Sequence, residues 1–447
     1  MWRQEKSVMI KVCKFGGTST SDGVNLCRVK EIVESDPCRR YIVVSAPGKR
    51  FGNDSKVTDL LYSAHAALEE GGNFHALFQK VRDRFCGIVR ESGLNFPIDA
   101  LLDECEEEIV KEQSRDFTAS RGEYLSAKIM AAMLKADFID ARDTVMFFED
   151  GRLNADETYR RMRGALQNKQ RVVVAGFYGA YQSGKIKTFS RGGSDVSGAI
   201  VARAAKADLY ENWTDVSGFF TCDPRIIENP ARIPALSYEE LRELSYMGAN
   251  VLHSECIFPV REANIPMRIK NTFRPNDEGT DILPIDRYRF AGKTVTGMAG
   301  KRHFTVIYLE KSLMNEEIGF TYRVLEILLK FGISFEHMPS GIDTMSLIID
   351  SALLGRGILE KLCADIKEAV SPDRMHVFED IALLAVVGHG MTKTVNAGAR
   401  LLSAIAAAGV SVKMIDQGSS GLNIIVGVEG PEYERTVRAV YREFFEE

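Results

Sequence analysis

A lysine and two glycines that could bind a phosphate group follow the first apolar run of the sequence. Residues 8–13 have the apolar, β-branched composition of a buried strand, and Lys14-Phe-Gly-Gly17 comes directly after them. Glycine lets backbone N–H groups approach an anion closely, and a helix beginning near Ser21 would direct its positive N-terminal end at the same place. The sequence therefore predicts an anion-binding corner, to which Lys14 adds a full positive charge.

Similar polar motifs follow other predicted strands. The strand candidates alternate with helical stretches such as residues 125–134 and 198–206, which predicts a mostly parallel α/β sheet covered on both faces. These candidates are residues 8–13, 40–45, 171–177, 208–213 and 267–270. Ligands of such sheets bind at the carboxyl ends of the strands. A lone Gly-Gly is more simply a turn, but three further motifs share this edge: Ser45-Ala-Pro-Gly48, Thr214-Asp215 and Ser190-Arg-Gly-Gly-Ser-Asp195.

Composition narrows the class of protein. The chain has 447 residues, 45% hydrophobic and 27% charged, which is enough for a large core and two or three domains. A formal net charge of −5 argues against a general nucleic-acid or anionic-membrane binder. No apolar stretch reaches about 20 residues and residues 1–6 lack the apolar core of a secretion signal, so we expect a cytoplasmic protein. The eight cysteines form no C-x-x-C pair or zinc-ligand cluster, so we expect reduced thiols and no metal site.

An internal repeat follows residue 293. Residues 324–341 match residues 401–418, and each copy has the pattern of a ferredoxin-like βαββαβ unit. The second copy lacks a last strand, whereas two strand candidates, residues 294–299 and 304–309, precede the first helix. We therefore expect the earlier strand to complete the second unit, which nests the first unit inside it. The predicted domains are residues 1–293 and 294–447, the latter with modules of about 303–379 and about 294–302 plus 380–447.

Several motifs, taken in order, resemble those of aspartate kinases. No P-loop, protein-kinase glycine loop or GxGxxG fingerprint is present. The motifs that carry the resemblance are Lys14-Phe-Gly-Gly-Thr-Ser19, Val43-Val-Ser-Ala-Pro-Gly-Lys49, Lys56-Val-Thr-Asp-Leu60, Arg191-Gly-Gly-Ser-Asp195, Thr214-Asp215 and Asp223-Pro-Arg225. The resemblance implies a three-layer αβα amino-acid-kinase domain followed by two ACT modules. It also implies ATP-dependent phosphorylation of L-aspartate to 4-phospho-L-aspartate, the first step of lysine, threonine and methionine biosynthesis.

The same resemblance implies a role for each site residue. Lys14 would bridge the ATP phosphates and the attacking carboxylate, and Asp195 would position the cationic groups around them. Arg191 would bind the α-carboxylate of aspartate and Glu123 its α-ammonium, with Ser45 and Thr58 as further substrate contacts. The residues implied for ATP are Lys14, Gly16, Gly17, Thr18, Gly193, Ser194, Thr214, Asp215, Phe220 and Arg225. Mg²⁺ is expected to arrive with the nucleotide.

Similarity to ACT modules implies feedback by an end-product amino acid, with lysine the first choice and threonine the second. The residues implied for this pocket are Gly319, Phe320, Glu336, Gly341, Ile342 and Asp343. Open strand edges in such small units favour a homodimer through the modules, or a tetramer. Simple hairpin turns are the alternative explanation for the segments after each helix. Two other functions stay open: a kinase for a different amino-acid carboxylate, and a catalytically silent amino-acid sensor.

Two residues depart from the family pattern near the nucleotide. Phe220 stands where tyrosine is frequent, and Asn250 stands where lysine is common, so a hydroxyl contact and a cation near ATP would both be missing. We expect weaker ATP binding or compensation by Arg225. The variant Asn250→Lys should therefore lower the apparent KM for ATP, measured from ADP release at saturating aspartate. An unchanged KM would contradict this interpretation.

Overall fold

The computed structural model describes residues 9–190, 192–249, 252, 254–289 and 292–446. The described residues form two compact units. The first lies within Met1–Phe219, Pro234–Tyr238 and Asn250–Tyr288, and the second within Phe220–Ile233, Glu239–Ala249 and Arg289–Glu447. The domain boundary between residues 293 and 294 stays a prediction. No helix of the described chain is long and apolar enough to cross a membrane.

The first unit is built on an eight-stranded sheet. Its strands, with those of a smaller sheet, are β1 (Lys11–Phe15), β2 (Arg39–Val44), β3 (Asp137–Ile139), β4 (Met146–Phe147), β5 (Val172–Ala175), β6 (Tyr178–Tyr181), β7 (Ile186–Thr188), β8 (Leu209–Thr214), β9 (Ala235–Ser237), β10 (Met267–Asn271) and β11 (Thr280–Leu283). The large sheet has the order β3-β5-β2-β1-β8-β10-β11-β9, and β4, β6 and β7 form the small one. The pairs from β3 to β10 are parallel, and the pair β10–β11 is antiparallel. The predicted mostly parallel sheet is confirmed.

Helices connect these strands. They are α1 (Gly23–Glu34), α2 (Val57–Glu69), α3 (Phe74–Glu91), α4 (Ile98–Glu112), α5 (Arg115–Leu134), α6 (Ala141–Thr144), α7 (Ala155–Leu166), α8 (Gly193–Ala205) and α10 (Phe258–Glu262). Helix α9 (Tyr238–Tyr246) belongs to the second unit except for its first residue. The central strands are nearly continuous apolar runs, because both faces of a parallel sheet are covered; Val172, Val173 and Val174 are fully buried. The ends of β2, β1 and β8 lie side by side, which places three of the predicted polar motifs at one edge.

The structure corrects two expectations about the first motif. β1 ends at Phe15, so Lys14 lies inside the strand and not after it. A short 3₁₀ turn, Gly17–Thr20, then separates the glycines from α1. The Asp22 carboxylate accepts the Asn25 N–H at 2.8 Å and Glu91 Oε2 accepts the Gly23 N–H at 3.0 Å. The idea that this helix directs its N-terminus at a phosphate is therefore wrong, because two carboxylates already occupy it.

A buried ion pair holds β1, β2 and β8 together on the sheet face opposite Lys14. Glu211, which is 2% exposed, accepts a hydrogen bond from Arg39 Nε at 2.8 Å and one from Trp213 Nε1 at 3.0 Å. The Arg39 guanidinium also lies 5.1 Å from the centre of the Trp213 ring. Breaking such a pair by removing one partner typically costs about 3–5 kcal/mol, because the other charge stays buried. These contacts therefore fix the strands that carry the site.

The second unit contains one five-stranded antiparallel sheet. Its elements are β12 (Gly297–Glu310), α11 (Phe320–Phe331), β13 (Thr344–Asp350), α12 (Ile358–Val370), β14 (Arg374–Val387), α13 (Ala397–Ala407), β15 (Met414–Asp416), β16 (Asn423–Glu429) and α14 (Tyr433–Phe445). The sheet order is β13-β12-β14-β16-β15. The two strand candidates before α11 are one continuous strand, β12, and the last strand of the first copy continues as the first strand of the second, β14.

The pairing of β12 follows the nested arrangement. Its first part, Gly297 to Lys301, pairs with the half of β14 that ends at Val387, and that half pairs with β16. Its second part, from Phe304, pairs with β13 and with the start of β14. The repeat is visible in the helices, since α11 and α13 begin at equivalent positions. Gly332 and Gly409 follow them with φ of 66° and 70°, the left-handed conformation that commonly ends a helix.

Candidate active site

Lys14 and Asp195 form a close ion pair at the edge where the parallel strands end. Lys14 is 7% exposed, and its Nζ lies 2.5 Å from Oδ1 of Asp195, a first-turn residue of α8. Asn212 lies opposite Lys14 in the register of β8 with β1, and its Nδ2 donates to the same Oδ1 at 2.8 Å. The structure thus brings together the two residues predicted to be catalytic and adds a third that sequence reasoning missed.

Glycines let the backbones of two loops approach each other closely beside Lys14. A Cβ on Gly16 would lie 3.6 Å from Lys14 Nζ, and a Cβ on Gly17 would lie 3.1 Å from the Ala46 carbonyl oxygen. At Gly48 a Cβ would lie 2.7 Å from the carbonyl carbon of Gly17, whose oxygen accepts the Gly48 N–H at 2.7 Å. The loops after β1 and β2 therefore touch through their backbones. We refer to these two touching loops, which lie beside Lys14, as the glycine cradle.

Two residues predicted to contact the substrate, Ser45 and Thr58, follow β2 in the chain. Ser45 is buried, and its N–H donates to the Phe15 carbonyl at 3.1 Å. Thr58 is half-buried in the first turn of α2. A Cβ on Gly122 of α5 would lie 2.8 Å from the Ala46 Cβ, so the absence of a side chain lets α5 pack closely on this loop.

Glu123, the next residue of α5, is a buried carboxyl group. It is 4% exposed, and its Oε2 has no hydrogen-bond partner in the part of the chain that the structure describes. Burial raises the pKa of Glu123 to about 8, although the N–H groups of Ala46 and of Glu123 itself and the charge of Lys14 act in the opposite direction. A buried carboxylate of this kind would be stabilised by a cation in the site.

Several residues predicted to bind the nucleotide also lie at this edge. Thr18 Oγ1 donates to Asp215 Oδ2 at 3.1 Å, and Thr214 Oγ1 donates to Asp215 Oδ1 at 3.2 Å. Gly193 and Ser194 begin α8 next to Asp195 and are buried. These residues all belong to the first unit and come from the ends of β1 and β8 and the start of α8.

Of the other residues predicted for the substrate and nucleotide sites, two belong to the second unit and two lie outside the described residues. Phe220 and Arg225 belong to the second unit, where the Arg225 guanidinium pairs with the Asp223 carboxylate at 2.7 Å. Arg191 and Asn250 lie outside the described residues.

Two of the residues predicted for the regulatory pocket, Gly319 and Phe320, lie at the start of α11. Gly319 precedes this helix with φ of 83°, and Phe320 is 2% exposed in the core of the first module. The Leu313 N–H donates to Asp343 Oδ1 at 2.9 Å, which ties the segment before α11 to the turn of residues 341–343. Gly341 N–H donates to the Thr344 carbonyl.

Glu336 and Ile342, which are also predicted for this pocket, have different surroundings from each other. Burial and the neighbouring Glu336 carboxylate together raise the pKa of the Tyr246 hydroxyl to about 12. Ile342 is 71% exposed, at the tip of its turn. The turn therefore presents an apolar side chain to solvent, while Glu336 is engaged with α9.

Comparison with known proteins identifies the family. Residues 9–271 match the amino acid kinase family, and residues 384–444 match an ACT domain. Aspartokinase 3 of Bacillus subtilis is 36% identical over 453 residues, 98% of this chain and 99% of that protein. The chain belongs to the aspartokinase family. The crystal structure of Clostridium acetobutylicum aspartate kinase is 45% identical with a TM-score of 0.91, and the match covers 98% of this chain and 100% of that chain.

A more distant member of the aspartokinase family has been solved with ligands. E. coli aspartokinase III in complex with aspartate and ADP is 26% identical with a TM-score of 0.79, and the match covers 98% of this chain and 100% of that chain. The same enzyme in complex with lysine and aspartate gives a TM-score of 0.78. The predicted family, fold class and enzyme class, an aspartate kinase with ACT modules, are confirmed.

The buried Glu123 predicts a pH-dependent difference in stability between the wild type and Glu123→Gln. Its folded-state pKa of about 8 lies above the ordinary value of 4.5, so the unfolded chain releases this proton at lower pH. The stability contributed by the carboxyl is therefore complete below about pH 4.5 and is lost toward about pH 8, by roughly 1.4 kcal/mol per pH unit.

We expect the melting temperature of Glu123→Gln, relative to that of the wild type, to rise across this window when aspartate is absent. Differential scanning fluorimetry at several pH values measures the difference. A difference that stays constant with pH would contradict the assignment of a protonated, buried Glu123.

Proposed function

We propose that the Lys14 corner transfers the γ-phosphoryl group of ATP to the side-chain carboxylate of L-aspartate, giving 4-phospho-L-aspartate and ADP. The observation that supports this most strongly is the ion pair between Lys14 and Asp195 beside a glycine cradle. Phosphoryl transfer needs positioned cations more than covalent chemistry, and Lys14 supplies a positioned cation at this corner. A carboxylate acceptor adds one requirement, which is a site for the rest of the amino acid.

In the proposed reaction, an oxygen of the aspartate side chain attacks the γ-phosphorus, and the bond between this phosphorus and the β,γ-bridging oxygen breaks. Lys14 donates to the oxygens of the transferred group, where negative charge must be held in the transition state. Asp195 orients the Lys14 ammonium. It does not act as a general base, because the attacking carboxylate is already ionised at neutral pH and carries no proton to remove.

Glu123 is proposed to bind the α-ammonium of aspartate. The pKa of its carboxyl, about 8, means that much of it is protonated at neutral pH in the free enzyme. An ammonium group favours the ionised form, so aspartate binding should release a proton from Glu123. Arg191, Ser45 and Thr58 complete the proposed substrate contacts, of which Arg191 is proposed from the sequence motif alone.

Magnesium is proposed to enter with ATP. Within the described residues, no cluster of three or more His, Cys, Asp and Glu side chains could hold a metal ion. Mg²⁺ usually keeps several waters and binds through substrate phosphates, where it neutralises the β and γ oxygens. The proposed nucleotide contacts of this chain are Gly16, Gly17, Thr18, Gly193, Ser194, Thr214, Asp215, Phe220 and Arg225.

The ACT-like modules are proposed to bind a feedback amino acid, with lysine as the first choice and threonine as the second. E. coli aspartokinase III has been solved with lysine, and a curated E. coli relative carries the name Lysine-sensitive aspartokinase 3. Here the hydrogen bond between Leu313 and Asp343 supports this proposal, since it joins the segment before α11 to the turn of residues 341–343. A homodimer through these modules and a cytoplasmic location are also proposed.

One turnover experiment tests the proposed reaction and its regulation. ADP release is measured with ATP and Mg²⁺ in the presence of aspartate, of glutamate, or of no acceptor, and each assay is repeated with lysine and with threonine. We expect release that depends on aspartate, is far slower with glutamate, and is inhibited more by lysine than by threonine. Absence of aspartate-dependent release would contradict the proposed reaction, whereas stronger inhibition by threonine would overturn only the order of effectors.

A further inference from the structure

Asn212 is a buried amide side chain in the middle of a parallel sheet. It lies on β8 and is only 3% exposed. Strands that are covered on both faces are normally apolar at such positions. Burying an amide without a compensating hydrogen bond costs roughly 1–3 kcal/mol, so this residue requires a partner.

The partner of Asn212 is the carboxylate that holds Lys14. Asn212 and Lys14 are directly opposite each other in the parallel register of β8 with β1, so both side chains project from the same face toward α8. Asn212 Nδ2 lies 2.8 Å from Oδ1 of Asp195, and Lys14 Nζ lies 2.5 Å from the same oxygen. One carboxylate oxygen thus receives both an ammonium and an amide donor.

Other bonds already hold the backbone of Asp195. Its N–H donates to the Gly192 carbonyl at 2.9 Å, and its own carbonyl accepts the Tyr210 hydroxyl at 3.2 Å. The place of residue 195 in the fold therefore has support that does not involve Asn212. What Asn212 adds is control over the rotation of the carboxylate, and through it over the direction of the Lys14 ammonium.

We propose that Asn212 is a positioning residue for phosphoryl transfer, which fixes the Asp195 carboxylate so that Lys14 stays directed at the transferred group. This inference rests on the proposed role of Lys14. The charged or titratable groups near the pair are Lys14 on β1, Tyr210 on β8, Glu123 on α5 and Cys256, whose Sγ donates to the Gly192 carbonyl. Asn212, in contrast to these groups, donates a hydrogen bond to Asp195 without adding a charge or a titratable proton.

The variant Asn212→Asp separates positioning from simple packing. Its carboxyl would lie against the carboxylate of Asp195, and two such groups share one proton at low pH. In the protonated state the new O–H donates to Asp195 as the amide does. At high pH both groups are ionised and repel each other, so the carboxylate of Asp195 turns away.

We therefore expect kcat of Asn212→Asp to approach the wild-type value near about pH 6 and to fall at least about tenfold below it by about pH 9, while KM changes little. Asn212→Leu has no donor at any pH, and its kcat should be reduced by roughly 10-fold to 100-fold throughout. Steady-state ADP release across the pH range measures both.

Tyr210→Phe is the matched control, because it removes a buried bond to the backbone of Asp195 and leaves the carboxylate untouched. It should lower the melting temperature without producing a new pH dependence. A wild-type pH profile for Asn212→Asp, an unchanged kcat for Asn212→Leu, or the same pH dependence in Tyr210→Phe would each overturn the proposal. If Asn212→Leu does not fold, the pH profile of Asn212→Asp decides alone. A wild-type enzyme without aspartate-dependent ADP release would instead overturn the proposed function.

Discussion

The ion pair between Lys14 and Asp195 is the contact on which the proposed chemistry depends. It can form only if β1 and the start of α8 meet, and the register of β1 with β8 places Asn212 beside them. The topology of the sheet explains why β1, β8 and the start of α8 meet. Parallel strands present their carboxyl ends at one edge, and the helix that follows Gly192 begins there.

Two buried carboxyl groups of the first unit, Glu211 and Glu123, have different electrostatic surroundings. On the face of the sheet away from Lys14, the charge of Glu211 is paired with that of Arg39, and Trp213 donates a hydrogen bond to the same carboxylate. Near Lys14, Glu123 has one carboxyl oxygen without a hydrogen-bond partner among the described residues, and burial raises its pKa to about 8. A matched buried charge stabilises the framework, whereas an unmatched one costs stability and becomes favourable only when a cation binds.

Much of this arrangement was predictable from the sequence, because it follows from periodicity. Alternating β-branched runs and helical stretches predicted the parallel sheet, and the position of polar motifs after the strands predicted their convergence. The repeat after residue 293 predicted two similar modules. The additional strand candidate before the first helix predicted that one module is nested in the other. Family resemblance supplied roles for individual residues that no pattern of apolar residues contains.

The features that the sequence did not predict depend mostly on contacts between residues that are distant in the chain. Nothing local indicates that Glu91 would occupy the N-terminus of α1, since it lies on α3. Asn212 was missed because an asparagine next to Glu211 in a short strand carries no signal until the register of β8 with β1 is known. The continuity of β12 was also missed, because the exposed residues Arg302 and His303 interrupt its apolar pattern while the strand continues.

A single-turnover measurement on Lys14→Met tests the central claim most directly. The enzyme is mixed with ATP, Mg²⁺ and aspartate, and the acyl phosphate is trapped with hydroxylamine and compared with that formed by the wild type, while calorimetry follows aspartate binding. If Lys14 stabilises the transferred phosphoryl group, the rate should fall by roughly 10²-fold to 10³-fold with aspartate binding retained. A rate within about threefold of the wild type would contradict the account.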